Sequence, residues 1–193
     1  MLSWVDDILA LGHPDNVSQM KTDLSNAFQC KDKGELKDYV GSKIDIERFE
    51  SGLATVKFTQ PVLIQKLEDN FDLSGGQAPK TPVVAGQVLV RGDGSGSLES
   101  FEATKYRSGV ATCMYMMQWL RPKTYNATQG LSHQMAAPRM AHYKAMITLM
   151  RYIVATRNQG LTLAPDTVWN GDSKFKFKIH GQSDLDYAAN TDD

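Results

Sequence analysis

The sequence predicts an α+β chain in which β-hairpins come first and helices follow. Three observations carry that expectation. Short apolar and alternating segments bounded by turn residues fill the region from Leu2 to Thr59. Apolar residues at helical spacing recur from Pro61 onward. A glycine-rich stretch from Ser74 to about Ser100 separates the first of those helices from the rest, holding six of the 15 glycines.

Residues Leu2 to Leu11 run apolar, then Asp6-Asp7, then apolar again, which suits a hairpin with two acids at its tip. Gly12 and Pro14 are expected to end its second strand, and Asp15 or Asn16 to cap a helix. Val17, Met20, Leu24, Ala27 and Phe28 would give that helix one buried face. Leu36 to Arg48 is strand-like, Glu50-Ser51-Gly52 is a turn, and Leu53 to Thr59 returns as a second strand. Pro61 suits the first position of a helix whose apolar side is Leu63, Ile64, Leu67 and Phe71.

Beyond the glycine-rich stretch two or three helices are expected. Tyr106, Val110, Cys113, Met114 and Met117 line one. Pro138 can open another, with Tyr143, Met146, Ile147, Met150, Ile153 and Val154 inward, Lys144 and Arg151 outward, and Gly160 as its stop. Phe175, Phe177 and Ile179 alternate with lysines and begin a further strand. The glycine-rich stretch is the best candidate for a boundary.

Charge is distributed unevenly. The 193 residues hold 21 Lys and Arg against 22 Asp and Glu. From Ala103 to Pro165 there is no acid, yet eight cations: Lys105, Arg107, Arg121, Lys123, Arg139, Lys144, Arg151 and Arg157. The other 13 cations face all 22 acids, so +8 in this stretch is set against −9 elsewhere. A one-signed segment in a neutral chain is the footprint of a polyanion-binding surface. The alternative is a basic face that pairs with acids of the same chain.

Other residue types exclude more than they suggest. Cys30 and Cys113 lie far apart, form no metal spacing and read as reduced thiols of an intracellular protein, with a disulfide as the alternative. The four histidines show no ligand spacing either, and His142 reads as packing rather than catalysis. The cluster of methionines reads as core filling, or else as a partner surface. Gly92, Gly94 and Gly96 lack the strand-to-helix context of a nucleotide-binding loop. No apolar run approaches the length of a membrane span, and the N-terminus has no basic region of a secretory signal. The expected location is cytoplasmic or nuclear.

Trp4-Val5-Asp6-Asp7 carries the most chemistry. Neighbouring carboxylates repel unless a cation accompanies them, and magnesium takes carboxylate oxygens. The alternative is an ordinary solvated turn.

In order and spacing, the motifs resemble copia-type retrotransposon reverse transcriptases over nearly the whole chain. Trp4 to Asp7 is similar to the family's Tyr-x-Asp-Asp. Lys31-Asp32-Lys33-Gly34-Glu35-Leu36, after the helix ending at Phe28, is similar to its F-x-M-K-D-L-G-x-L. Tyr39-Val40-Gly41-Ser42-Lys43-Ile44 resembles its primer-grip hairpin, and Thr59-Gln60 and Thr81-Pro82 match its S-Q and T-P. Tyr106-Arg107, Met114-Tyr115, Arg121-Pro122, His142, Arg151-Tyr152 and Gly160-Leu161 follow in the family's order, with Lys123 standing for an aspartate. Ser183-Asp184-Leu185-Asp186-Tyr187-Ala188 resembles the first RNase H strand.

The resemblance implies a partial palm over 1–59, a thumb helix and loop over 60–100, a basic helical thumb and connection over 101–165, and the start of an RNase H-like domain over 166–193. It implies that Asp6 and Asp7 bind Mg2+ and perform two-metal nucleotidyl transfer in an intact parent, with Asp184 the first RNase H carboxylate. Tyr39, Val40 and Gly41 would position the primer. Lys105, Arg107, Arg121, Lys123, Arg139, Lys144 and Arg151 would hold the backbone of an RNA/DNA template–primer, with dNTP as the further substrate. The family's third polymerase acid lies upstream of the hairpin. The isolated chain is therefore expected to lack polymerase and RNase H activity; the alternatives to this polymerase-fragment reading are a non-catalytic nucleic-acid-binding module and a helical interaction protein or inert remnant.

Overall fold

Residues 2–168, apart from Gly76, Ala85 and Asp93, are described by a computed structural model. The Phe175, Phe177 and Ile179 strand and Asp184 lie outside the described residues.

Two tight hairpins set the N-terminal architecture. Strands β1 (Leu2–Trp4) and β2 (Asp7–Leu9) pair antiparallel, with Trp4 opposite Asp7 and only Val5 and Asp6 between them. Strands β3 (Asp38–Tyr39) and β4 (Ser42–Arg48) are joined the same way through Val40 and Gly41. The segment expected as one strand from Leu36 to Arg48 is thus folded in two. Val40 and Gly41 both have positive φ, 47° and 72°. That combination is what a two-residue turn between twisted strands demands. Gly41 meets it freely, whereas the β-branched Val40 is strained there.

Strand β5 (Ala54–Thr59) follows the expected turn and pairs with β4, placing Ile44 opposite Phe58 and Ile46 opposite Val56. A short β6 (Leu161–Leu163), not foreseen in the sequence, adds to the other edge of β5 and completes the antiparallel order β3-β4-β5-β6. Gly160 is not the helix stop that its position suggests. A Cβ there would stand 1.8 Å from the carbonyl oxygen of Phe58, so only glycine lets the chain turn onto β5.

Helix α1 (Pro14–Ala27) starts one residue before the expected caps. Pro14 takes the first turn, His13 is the N-cap, and Asp15 falls inside the helix. Its apolar stripe is not buried: no residue of α1 is, and Phe28 is 66% exposed. Periodicity identifies a face that can be covered, and no described element covers it.

The hydrophobic core lies among α2 (Pro61–Phe71), α3 (Ser100–Trp119), α4 (Tyr125–Ser132) and α5 (Met140–Ala155). Pro61 opens α2 as expected, and Ile64 and Leu67 are fully enclosed. In α3 the inward set is Tyr106, Val110, Cys113 and Met116, so the expected Met117 is displaced by its neighbour. In α5 Met146, Leu149, Met150 and Ile153 are inside, and Lys144 and Arg151 are exposed as expected. Gly109 permits close passage of α3. A Cβ at Gly109 would meet Met150 Cε at 2.5 Å and Met146 Sδ at 2.8 Å.

The glycine-rich stretch carries no helix or strand among its described residues but is bound to the start of α5. Leu98 N–H donates to the Pro138 carbonyl, Met140 N–H to Gly96, and Ala141 N–H to Ser95 Oγ. Arg139 Nη1 donates to the Ser95 carbonyl at 2.7 Å. This segment therefore satisfies N–H groups that the first turn of α5 cannot pair internally.

Candidate functional site

The Asp6-Asp7 pair is where the sequence puts it, on a hairpin. Asp6 occupies the exposed turn, and Asp7 is the first residue of β2 and partly covered. A metal cage would need more donors. Among the described residues no group of three acids, histidines or cysteines could hold a metal ion. The residues present do not by themselves fit a divalent ion, whose coordination takes six or more oxygens. An ammonium faces Asp7: Lys33 Nζ lies 3.8 Å from Asp7 Oδ1 and 3.8 Å from Asp38 Oδ1. Nothing in the sequence pattern alone distinguished Lys33 from its neighbours.

Lys33 is carried by a short ordered turn. Asp32 Oδ1 accepts the Gly34 N–H at 2.8 Å, and Asp32 Oδ2 pairs with Lys21 of α1 at 2.9 Å. The Gly34 hydrogen bond first, and Lys21 second, hold the Asp32 carboxyl below its usual range.

The second hairpin presents Tyr39, Val40 and Gly41 at its turn, beside α3. Tyr115 Oη donates to the Val40 carbonyl at 3.1 Å, and Tyr115 in turn lies against Trp119, ring centroids 6.1 Å apart. Tyr115 stands in a motif the sequence singled out, but its contact with Val40 spans 75 positions and no local signal announces it.

The cations do not share one role. Arg121 is removed from the surface: only 5% exposed, it turns its guanidinium onto the end of α5. Nη1 donates to the Thr156 carbonyl at 2.7 Å and to the Gln159 carbonyl at 2.9 Å, and Nη2 to Thr156 Oγ1. Burial lowers its pKa from the ordinary value. The expectation that Arg121 grips a nucleic-acid backbone is corrected on this ground, because its donors are already engaged. Arg139 is half-buried and bound to Ser95. Arg157 pairs with Glu68 at 2.7 Å, the in-chain pairing that the charge pattern had left open. Arg107 is exposed but donates Nε to the Met135 carbonyl. Lys105 lies over the Phe71 ring, 5.2 Å from its centroid. Lys123, Lys144 and Arg151 are exposed.

His142 is wholly buried and packs as expected. Its Nδ1 accepts the Arg139 N–H and its Nε2 faces the Val90 carbonyl at 3.1 Å, joining the glycine-rich segment to α5. Neither cysteine is bonded to another: Cys30 is exposed and Cys113 buried. No described helix is long and apolar enough to cross a membrane.

Comparison with known proteins adds an ancestry to this geometry. Over its whole length the chain is 28% identical to the retrovirus-related Pol polyprotein from transposon RE1 of Arabidopsis thaliana. The similarity is to retrotransposon Pol polyproteins. The corresponding protein from transposon TNT 1-94 of Nicotiana tabacum is 27% identical over 81% of the chain, and that from Arabidopsis transposon RE2 is 26% identical over all of it. The chain spans about an eighth of these Pol polyproteins, 12% of each, and so corresponds to a segment of one. No family model and no solved structure matches the chain.

Proposed function

We propose that this Pol segment is part of a copia-type RNA-directed DNA polymerase, spanning the end of the palm, the thumb and connection, and the approach to RNase H. The observation that carries the reading is the tight hairpin with Asp6 at its turn and Asp7 beside it. It is followed by a second two-residue hairpin at Val40-Gly41 that leans on α3. In this reading Asp6 and Asp7 are polymerase carboxylates that serve Mg2+ only in an intact parent, where further acid ligands join them. Val40 and Gly41 bear on the primer end, with Tyr115 holding their turn in place. The exposed cations Lys123, Lys144 and Arg151, with Arg107, contact the phosphates of an RNA/DNA template–primer, which they hold without reading sequence.

The chain by itself binds hybrid and does not turn over, since two carboxylates do not assemble two metal ions. Primer extension and RNA–DNA cleavage with magnesium test this together with fluorescence anisotropy on a labelled hybrid. Binding without extension or cleavage is expected. Robust turnover, or no binding at low ionic strength, overturns the reading. An inert remnant is the outcome in which the chain neither binds nor unfolds cooperatively.

A further inference from the structure

We propose that Trp119 and Tyr125 form a stacking platform for unpaired nucleobases, so that the chain favours a hybrid with a single-stranded extension over a blunt one. The inference rests on reading the segment as one that binds template–primer, and it adds a contact that phosphate-binding cations do not supply. Three observations support it. Trp119 ends α3 and Tyr125 begins α4, and these large aromatics are left 45% and 50% exposed. Between them Lys123 is exposed on a connection rooted by the buried Leu120, Arg121 and Thr124, and neither α3 beyond Glu102 nor α4 carries an acid that would repel a phosphate. Tyr115, one turn before Trp119, lies against its ring with centroids 6.1 Å apart and donates its hydroxyl to the Val40 carbonyl at 3.1 Å. The platform thus stands beside the hairpin turn assigned to the primer end.

The chemistry selects unpaired bases. A base offers an apolar face that an aromatic ring covers without needing a hydrogen-bond partner. Inside a duplex those faces are closed by the neighbouring bases, so only an extension presents them. The backbone that carries the rings is already ordered: Arg121 Nη1 donates to the Thr156 carbonyl at 2.7 Å, and Thr124 donates its Oγ1 and its N–H to the Arg121 carbonyl at 2.8 Å and 3.0 Å. Binding therefore costs little further freedom there. Lys123 supplies charge for the phosphate beside the stacked base. One stacked base raises affinity by roughly tenfold, and stacking releases no counterion, so that gain is independent of salt.

The test is fluorescence anisotropy of the full chain on three labelled RNA/DNA hybrids: blunt, with an unpaired extension, and with an extension of the same length made of abasic sites. Variants are W119F, W119L, Y125L and W119L/Y125L, each checked by circular dichroism. The base-bearing extension is expected to bind roughly tenfold more tightly than the abasic one, because the two carry equal charge. W119F should keep most of that gain, and W119L/Y125L should abolish it while leaving affinity for the blunt hybrid and its salt dependence unchanged. If the blunt hybrid binds and the bases add nothing, or the gain survives the double variant, the platform is overturned while the template–primer reading stands. If none of the three hybrids binds, both fall. A wild-type dimer that W119L/Y125L converts to a monomer, with no loss of the base-dependent gain, assigns the aromatics to self-association and also overturns the proposal.

Discussion

Replacing Arg121 by methionine separates a structural role from a nucleic-acid role at one position. The guanidinium makes two well-formed hydrogen bonds to carbonyls past the end of α5, at 2.7 Å and 2.9 Å, and a further bond to Thr156 Oγ1. It is buried, so water does not replace these bonds when they are lost. A hydrogen bond to a charged group contributes about 1.5–3 kcal/mol. Taking the lower figure for each carbonyl gives a loss of about 3 kcal/mol. Methionine fills the stem volume, which keeps a cavity from adding to that loss. With a urea slope of about 2 kcal/mol per molar, the midpoint should fall by about 1.5 M. Lysine offers a point charge in place of a fork and should recover only part of the shift. Equilibrium urea unfolding followed by circular dichroism measures this. A midpoint change under about 0.25 M, accompanied by a large loss of hybrid binding, would refute the argument and return Arg121 to the nucleic-acid surface.

Two further outcomes follow from buried and close-packed groups. Cys30 should react rapidly with a thiol reagent at pH 8 while Cys113 stays silent until the chain unfolds, because burial pushes the Cys113 thiol up to about 12. The raised thiol stabilises the fold fully below about pH 9 and loses that contribution as pH rises from there toward 12. In that window C113A should flatten the fall of stability by about 1.4 kcal/mol per pH unit, and an unchanged slope would contradict the burial of the thiol. Gly160→Ala forces a methyl against the Phe58 carbonyl. It should cost about 1–3 kcal/mol and expose the β5–β6 amides to hydrogen exchange, and unchanged protection there would contradict the close approach.

Local chemistry made some of this architecture legible and long-range chemistry hid the rest. The Asp6 hairpin, the Glu50-Ser51-Gly52 turn and the Pro61 helix start are written in a few consecutive residues, and each formed where expected. The stripe of α1 was equally legible, yet Val17, Met20 and Leu24 remain only half-covered, because periodicity does not name a partner. Gly160 read as a helix stop, and only the position of Phe58, about a hundred positions earlier, makes it a site of close approach instead. The same holds for the basic stretch. A count of cations cannot show that Arg121 turns onto carbonyls 35 and 38 positions away, or that Arg157 finds Glu68. Lys33 sits in a mixed-charge loop whose sequence does not single it out, and only folding brings Asp7 and Asp38 to within 3.8 Å of it.

The most direct test of the Pol-segment reading is the salt dependence of binding to an RNA/DNA hybrid. If Arg107, Lys123, Lys144 and Arg151 contact phosphates, a plot of log affinity against log salt should have a slope of about −3 to −4. Affinity should then fall on the order of a hundredfold between 50 and 200 mM salt. The K144E/R151E variant should lower the slope by about 2 without changing the urea midpoint. A slope near zero, or one that the double variant leaves intact, contradicts the account.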